Sequence, residues 1–186
     1  DAILRLEDND WLLLQNETNG IAEAIELAAQ KGKKVAINIA PADERMFDYP
    51  LSKVALIIVN ELEAMALSSK SSPQLAFDSL IKAYPEIDIV LTLGEEGVWS
   101  YRAKDSARKG MPSFNIDAMD ETAAGDSFIG YLMAMLVAGR DLHESITLAS
   151  AAGALATTKA GAVDSIPSLD AVKTLAGEQE LKTLDL

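Results

Sequence analysis

Cysteine is absent from this 186-residue chain, and histidine occurs once. Without cysteine there can be no disulfide, no thiolate nucleophile and no cysteine-bound zinc. A lone histidine removes histidine-rich metal sites and argues against a Ser-His-Asp triad. Positive charge is also in short supply: 16 Lys and Arg stand against 29 Asp and Glu, a formal net charge of −13. Such a surface repels the phosphates of nucleic acid, so no nucleic-acid partner is expected. A nucleotide is still admissible, because backbone N–H groups and Mg²⁺ neutralise phosphates locally. No run reaches the roughly 18 apolar residues of a membrane span, and no secretory signal pattern is visible. No membrane partner is expected, and the cytoplasm is the expected location. The chain opens Asp1-Ala2-Ile3-Leu4, with no initiator Met and in what reads as mid-helix, as a processed chain or a fragment would.

What is present suffices for a single α/β domain over residues 1–186. Apolar residues make up 49%, enough for a core and too many for disorder. Short apolar runs alternate with helical spacings. Strands are predicted at 11–15, 34–39, 54–59 and 87–93, and helices at 20–31, 60–68 and 73–83. A β excursion follows, with strands at 98–101 and near 113–116, set off by Gly97 and Gly110. Two apolar helices are predicted at 124–138 and 142–159, a last helix after Pro167, and a polar tail after Gly177 that frays. Alternation of this kind predicts a mainly parallel sheet between helical layers. Ligands of such sheets bind at the C-terminal ends of the strands. That rule selects residues 15–17, 38–42, 60–63 and 92–97, all unusually polar or glycine-rich.

The most informative segment is Asp120-Glu121-Thr122-Ala123-Ala124-Gly125-Asp126. Small residues crowd where a helix begins, so a ligand can approach the backbone closely and the first N–H groups attract an anion. Asp126 stands at that same anion site, where it repels phosphate. Taking a proton from an incoming hydroxyl would explain it. From the residues alone, Asp126 reads equally as a first-turn carboxylate, and Ala-Ala-Gly as close packing.

Together with Thr92-Leu93-Gly94-Glu95-Glu96-Gly97 and Asn60-Glu61-Leu62-Glu63, this segment resembles the ribokinase-like (PfkB-type) sugar kinase family in order and spacing. Gln15-Asn16-Glu17 and Asn38-Ile39-Ala40-Pro41-Ala42 resemble its ribokinase branch more narrowly. The resemblance runs along essentially the whole chain, yet matches only about the C-terminal three-fifths of a family member, whose length is roughly 300 residues. It implies a three-layer αβα fold whose N-terminal strands, Gly-Gly sugar motif and small β lid lie outside this chain. An unpaired parallel edge and an apolar sheet face would then be left. The lid often mediates dimerisation, so the full-length form is expected as a homodimer.

The resemblance further implies ATP-dependent transfer of the γ-phosphoryl group to a primary sugar hydroxyl, with ribose the expected acceptor. Asp126 would be the catalytic base and also touch the sugar, with Ala123, Ala124, Gly125 and Asp126 lending N–H groups to an anion hole. The family usually has Gly where Ala123 stands; the extra methyl matters only if that residue takes positive φ. Asn60 and Glu63 would organise Mg²⁺ and the phosphate tail, Glu63 through water, although Asn60 also reads as a helix N-cap. Thr92, Gly94 and Gly97 would hold the nucleotide, as would Gly125 and Ser150. A glycine turn needs no ligand, however, and a serine among alanines can simply pack. Asp120, Thr122, Ala156, Lys159, Gly161 and Ser165 match the positions of a monovalent cation site, taken as K⁺; Asp120 also reads as a surface turn. Glu17 would bind the sugar, or else start the next helix, and Asn38 would line the pocket. His143 is expected to be a surface or capping residue, and Trp11 and Trp99 core anchors. Two alternatives remain: a non-catalytic nucleotide-binding remnant, and a family kinase for another sugar or a nucleoside.

Overall fold

The computed structural model describes residues 2–179 and 184–186. The chain divides into two compact units: residues 1–93 with 99–108, and residues 94–98 with 109–186.

The first unit is a sheet with its helices. It contains β1 (Trp11–Gln15), α1 (Ile21–Gln30), β2 (Lys34–Asn38), β3 (Leu56–Asn60), α2 (Glu61–Ser68), α3 (Pro73–Ala83), β4 (Asp88–Thr92) and all but the first residue of β5 (Val98–Arg102). The strands lie in chain order. β1 to β4 run parallel, with Gln15 level with Asn38 and Asn60 level with Thr92. Their C-terminal ends therefore share one edge, as the strand–helix alternation required. Val35, Ile37, Ile57, Val59, Ile89 and Leu91 point to one face and pack with Ile25, Ala28, Phe77 and Leu80 of α1 and α3. The intervening Ala36, Leu56, Ile58 and Val90 are no more than 1% exposed. Both faces are thus covered, which is why these strands read as unbroken apolar runs and why the class is a three-layer, mainly parallel α/β fold. Trp99 packs on this core, its ring 5.9 Å from that of Phe77. Trp11 sits at the margin, under the ammonium of Lys34.

The second unit is chiefly helical. α4 (Ala124–Val137) and α5 (Leu142–Ala156) pack together, and α6 (Leu169–Glu178) packs on α5. Phe114, Ala151, Ala152, Val172 and Leu175 form a small core. Asp141 caps α5 through the His143 N–H, and Ser168 caps α6.

Several boundaries differ from expectation. The opening residues form one 3₁₀ turn, Ile3–Arg5. The second strand of the excursion is β6 (Ala107–Met111), not 113–116. Pro112 has no N–H to continue a ladder, and Gly110 lies within the strand. α5 stops at Ala156 rather than Lys159. The Thr157 and Thr158 hydroxyls turn back to the Ala154 and Leu155 carbonyls, and Thr157 O accepts the N–H groups of Met119 and Asp120. Part of the tail expected to fray, residues 180–183, lies outside the described residues. Beyond it, β7 (Leu184–Asp185) pairs antiparallel with Lys109 and Gly110 of β6.

Candidate active site

In the first unit the predicted polar residues gather at the C-terminal ends of the strands. Gln15 donates to Asn38 Oδ1 at 3.3 Å, and Asn38, itself buried, donates to Ile58 O at 3.2 Å. Glu17 is exposed beside Asn16, which is fully buried. Asn60 and Glu63 form a reciprocal pair where β3 turns into α2. Asn60 Oδ1 accepts the Glu63 N–H, while the two Glu63 oxygens accept the Asn60 N–H and side-chain amide, each at 2.9 Å. This is a capping box. Glu63 is 5% exposed. Burial pushes its carboxyl above the ordinary carboxylate value, and the bond from the Asn60 N–H only partly offsets this. Both oxygens already accept a bond, which fits contact with Mg²⁺ through water rather than direct ligation. Thr92 lies level with Asn60.

In the second unit, residues 94–97 form a tight turn closed by Gly97 N–H to Gly94 O at 3.2 Å, and the Ser113 hydroxyl donates to Glu95 O at 2.6 Å. Gly97 takes φ +104°, and a Cβ there would lie 2.0 Å from Met111 O. Close backbone packing therefore accounts for glycine at 97. Nothing comparable confronts Gly94, which is open and at φ +53°.

The loop ahead of α4 corrects one expectation. Ala123 adopts φ 63°, ψ 9°, and Ala124 N–H bonds Glu121 O at 3.2 Å. This is a type II turn, which wants glycine at its third residue. The methyl of Ala123 therefore matters: it sits in the left-handed region that L-residues enter at a cost of about 1–2 kcal/mol. The anion-hole set is also narrowed, because the Ala124 N–H is already engaged. Ala123, Gly125 and Asp126 donate no backbone bond among the described residues, so their N–H groups are the open donors. Asp126 is exposed in the first turn of α4. Gly153 of α5 fixes where that turn lies, since a Cβ on it would come within 3.2 Å of Ala124 O.

Asp120 braces the same loop. One carboxylate oxygen accepts Thr122 N–H at 2.9 Å and the other Gly161 N–H at 3.1 Å. Hydrogen bonds from Thr122, side chain first and then backbone, and from Gly161 hold its carboxyl below the ordinary value. Of the matched cation positions, Asp120, Thr122 and Gly161 are thus joined directly. Lys159 N–H reaches Ala156 O at 3.4 Å, and the hydroxyl of buried Ser165 donates to Ala162 O. Among the described residues no three carboxylate, His or Cys side chains cluster to hold a metal, so a cation there would rest on backbone carbonyls.

Ser150 is half-buried, and its hydroxyl has no partner among the described residues. Two features went unread in the sequence. Ser127, 4% exposed, also has an unpartnered hydroxyl; it lines an open groove of about 350 Å³ with Asp126, Gly130, Tyr131, Ile166 and Leu169. Arg45 joins the loops after β1 and β2. The strand-end rule reaches residues 38–42, just short of Arg45, and Ser127 follows directly on the 120–126 segment. No helix among the described residues is long and apolar enough to cross a membrane.

Comparison with known proteins agrees with this architecture. Residues 3–169 match the model of the pfkB family carbohydrate kinases. The chain is 35% identical over 173 residues to ribokinase of Haemophilus influenzae, covering 88% of this chain and 55% of that protein. Among solved structures it resembles ribokinase of Thermotoga maritima, with a TM-score of 0.76, 27% identity, and coverage of 94% of this chain and 61% of that one. It also resembles ribokinase of Cryptococcus neoformans in complex with ADP, with a TM-score of 0.78, 25% identity, and coverage of 88% and 59%. The chain thus spans little more than half the length of the relatives it matches.

Proposed function

The chain belongs to the pfkB family of carbohydrate kinases, and on that premise we propose that it carries the nucleotide-handling and phosphoryl-transfer residues of an ATP-dependent sugar kinase acting on D-ribose. The observation that carries this reading is the start of α4, where an exposed carboxylate, Asp126, shares its turn with the open N–H groups of Gly125 and Asp126. Donors for a developing negative charge next to a proton acceptor are what phosphoryl transfer to an alcohol requires.

In this mechanism Asp126 accepts the proton of the sugar's primary hydroxyl. The hydroxyl oxygen bonds to the γ-phosphorus as the bond to the β,γ-bridging oxygen breaks, and ADP leaves. The Gly125 and Asp126 N–H groups hold the equatorial oxygens. Asn60 and Glu63 would hold Mg²⁺ through its water shell, and the ion would supply positive charge against the phosphate tail. Thr92, Gly94, Gly97 and Ser150 contact the nucleotide. Asp120 keeps the loop closed through Thr122 and Gly161, and backbone carbonyls of the 122 and 156–165 segments would hold a K⁺ that supplies positive charge beside it. Glu17 and Asn38 contact the sugar. The 35% identity to a ribokinase supports ribose as acceptor.

The test is ADP release by the purified chain across ribose, fructose and nucleoside acceptors. Asp126→Asn should leave ATP affinity within about twofold and reduce turnover by more than about a hundredfold, the scale of general-base catalysis. Turnover surviving within about tenfold would remove Asp126 as the base. ATP binding without turnover on any acceptor would favour a nucleotide-binding remnant.

A further inference from the structure

Arg45 stands outside every element assigned a role above, yet four of the five N–H groups of its guanidinium are engaged at the strand ends. Nη2 donates to Asn16 O at 2.9 Å and Nη1 to Thr18 O at 3.3 Å. Nε and Nη2 also donate to the Asp43 carboxylate at 2.9 and 2.7 Å. The two carbonyls it holds flank Glu17 on either side. Asn16 is tied just as completely. Its N–H donates to Ala40 O at 2.9 Å, its side-chain amide to Pro41 O at 2.6 Å, and its Oδ1 accepts the Tyr49 hydroxyl. The loop after β1 is thereby fastened to the loop after β2, and the residue between the fastenings, Glu17, is left with an exposed carboxylate.

We propose that Arg45 is a positioning residue for substrate: its planar fork, oriented by Asp43, spans the carbonyls of Asn16 and Thr18 and so presents the Glu17 carboxylate to the sugar. This rests on the reading of Glu17 as a sugar ligand. A lone exposed Arg–Asp pair contributes little to stability, so the Asp43 contact by itself would not need this geometry. Bridging two backbone carbonyls while facing a carboxylate needs a rigid fork of donors, which lysine lacks. Asp43 also caps the 3₁₀ helix Glu44–Asp48 through the Arg45 N–H, which fixes where the fork begins.

The experiment compares the wild-type chain with Arg45→Ala, Arg45→Lys and Glu17→Gln. Amide hydrogen exchange over residues 16–20 is measured alone and with D-ribose, and the KM values for ribose and ATP are taken from ADP release. Arg45→Ala should speed exchange of the Asn16 amide, which donates to Ala40 O, by about tenfold or more, with α1 and β2 unchanged. It should raise the ribose KM by about tenfold at constant ATP KM, the scale of one or two bonds to a charged donor. Arg45→Lys should recover only part of this. Exchange unchanged in Arg45→Ala would overturn the proposal. Faster exchange with ribose KM unmoved, while Glu17→Gln still raises it, would overturn the positioning role and leave the Glu17 reading intact. If no variant alters a sugar response, or the wild type shows none, the Glu17 reading falls and the positioning role with it.

Discussion

Replacing Ala123 by glycine removes one methyl from a residue held at φ 63°, ψ 9°. An L-residue with a Cβ enters that region at a cost of about 1–2 kcal/mol. Glycine enters freely, but its unfolded chain is more flexible, which returns about 0.4–1 kcal/mol to the unfolded side. The difference favours Ala123→Gly by about 0.5–1 kcal/mol. For a chain of this size that is about 1–4 °C in melting temperature, or a rise in the urea midpoint at unchanged slope. Ala124→Gly is the internal control. Ala124 opens α4 without positive φ, so glycine there should destabilise by up to about 1 kcal/mol. The probe must report on the second unit. Both tryptophans, Trp11 and Trp99, belong to the first, so their fluorescence would follow the wrong part of the chain. Far-ultraviolet ellipticity, to which α4, α5 and α6 contribute, is the suitable signal. Opposite signs for the two neighbouring glycines would confirm the turn. A lower urea midpoint for Ala123→Gly, or two substitutions of the same sign, would refute the left-handed assignment and the reasoning built on it.

Three further outcomes follow from geometry on the other loops. Gly97→Ala should cost more than about 3 kcal/mol or prevent folding, because the new Cβ meets Met111 O at 2.0 Å at a positive φ where neither side can relax; a soluble variant melting near wild type would sink the packing account. Glu63 has a raised folded pKa, so wild-type stability should fall as pH rises from the ordinary carboxylate value through the folded value. Glu63→Gln should lack that slope and stay within about 1 kcal/mol of wild type at neutral pH, the worth of one hydrogen bond; urea midpoints at several pH values decide it, and an unchanged slope counts against burial as the cause. Asp120 has a lowered folded pKa, so its contribution is present above the ordinary carboxylate value and lost as pH falls through the folded one. The urea midpoint of Asp120→Asn should therefore trail wild type at neutral pH and converge with it in acid, and a gap that widens in acid would contradict the brace.

The parallel sheet was legible because its strands are short apolar runs broken by helical spacings, and burial on both faces of β2 to β4 is what makes those runs unbroken. β6 was not legible: Ala107-Arg108-Lys109-Gly110-Met111 carries no alternation of apolar and polar residues. The left-handed Ala123 was hidden because alanine is the strongest helix former and nothing in its own identity points to a turn. Arg45 was hidden for a similar reason. Its partner carbonyl lies 29 residues away, and an arginine in a polar loop looks like solubility. Asp126 could be located but not given its surroundings, since which N–H groups stay open depends on the turn formed by Glu121 and Ala124.

These same bonds change what the signature residues can be taken to mean. A folded chain with no catalytic task would have no use for Asn60 and Glu63 as phosphate organisers, yet it would still need them to start α2, because together they satisfy the donors at that helix end. Gly97 would be kept for Met111 and Asp120 for Gly161, again without any ligand. Asp126 has no such second use. Its side chain is exposed, and its own N–H and that of Gly125 make no backbone bond among the described residues. A first-turn aspartate helps a helix by only about 0.3–1 kcal/mol, which many other residues could replace. Asp126, rather than the number of family positions retained, is therefore the residue that signals surviving chemistry. Asp126→Asn is accordingly the substitution that separates a kinase from its folded remnant: it should leave the urea midpoint almost unmoved, within that same about 1 kcal/mol, while turnover collapses. A large loss of stability from this single change would mean that the carboxylate serves the fold after all.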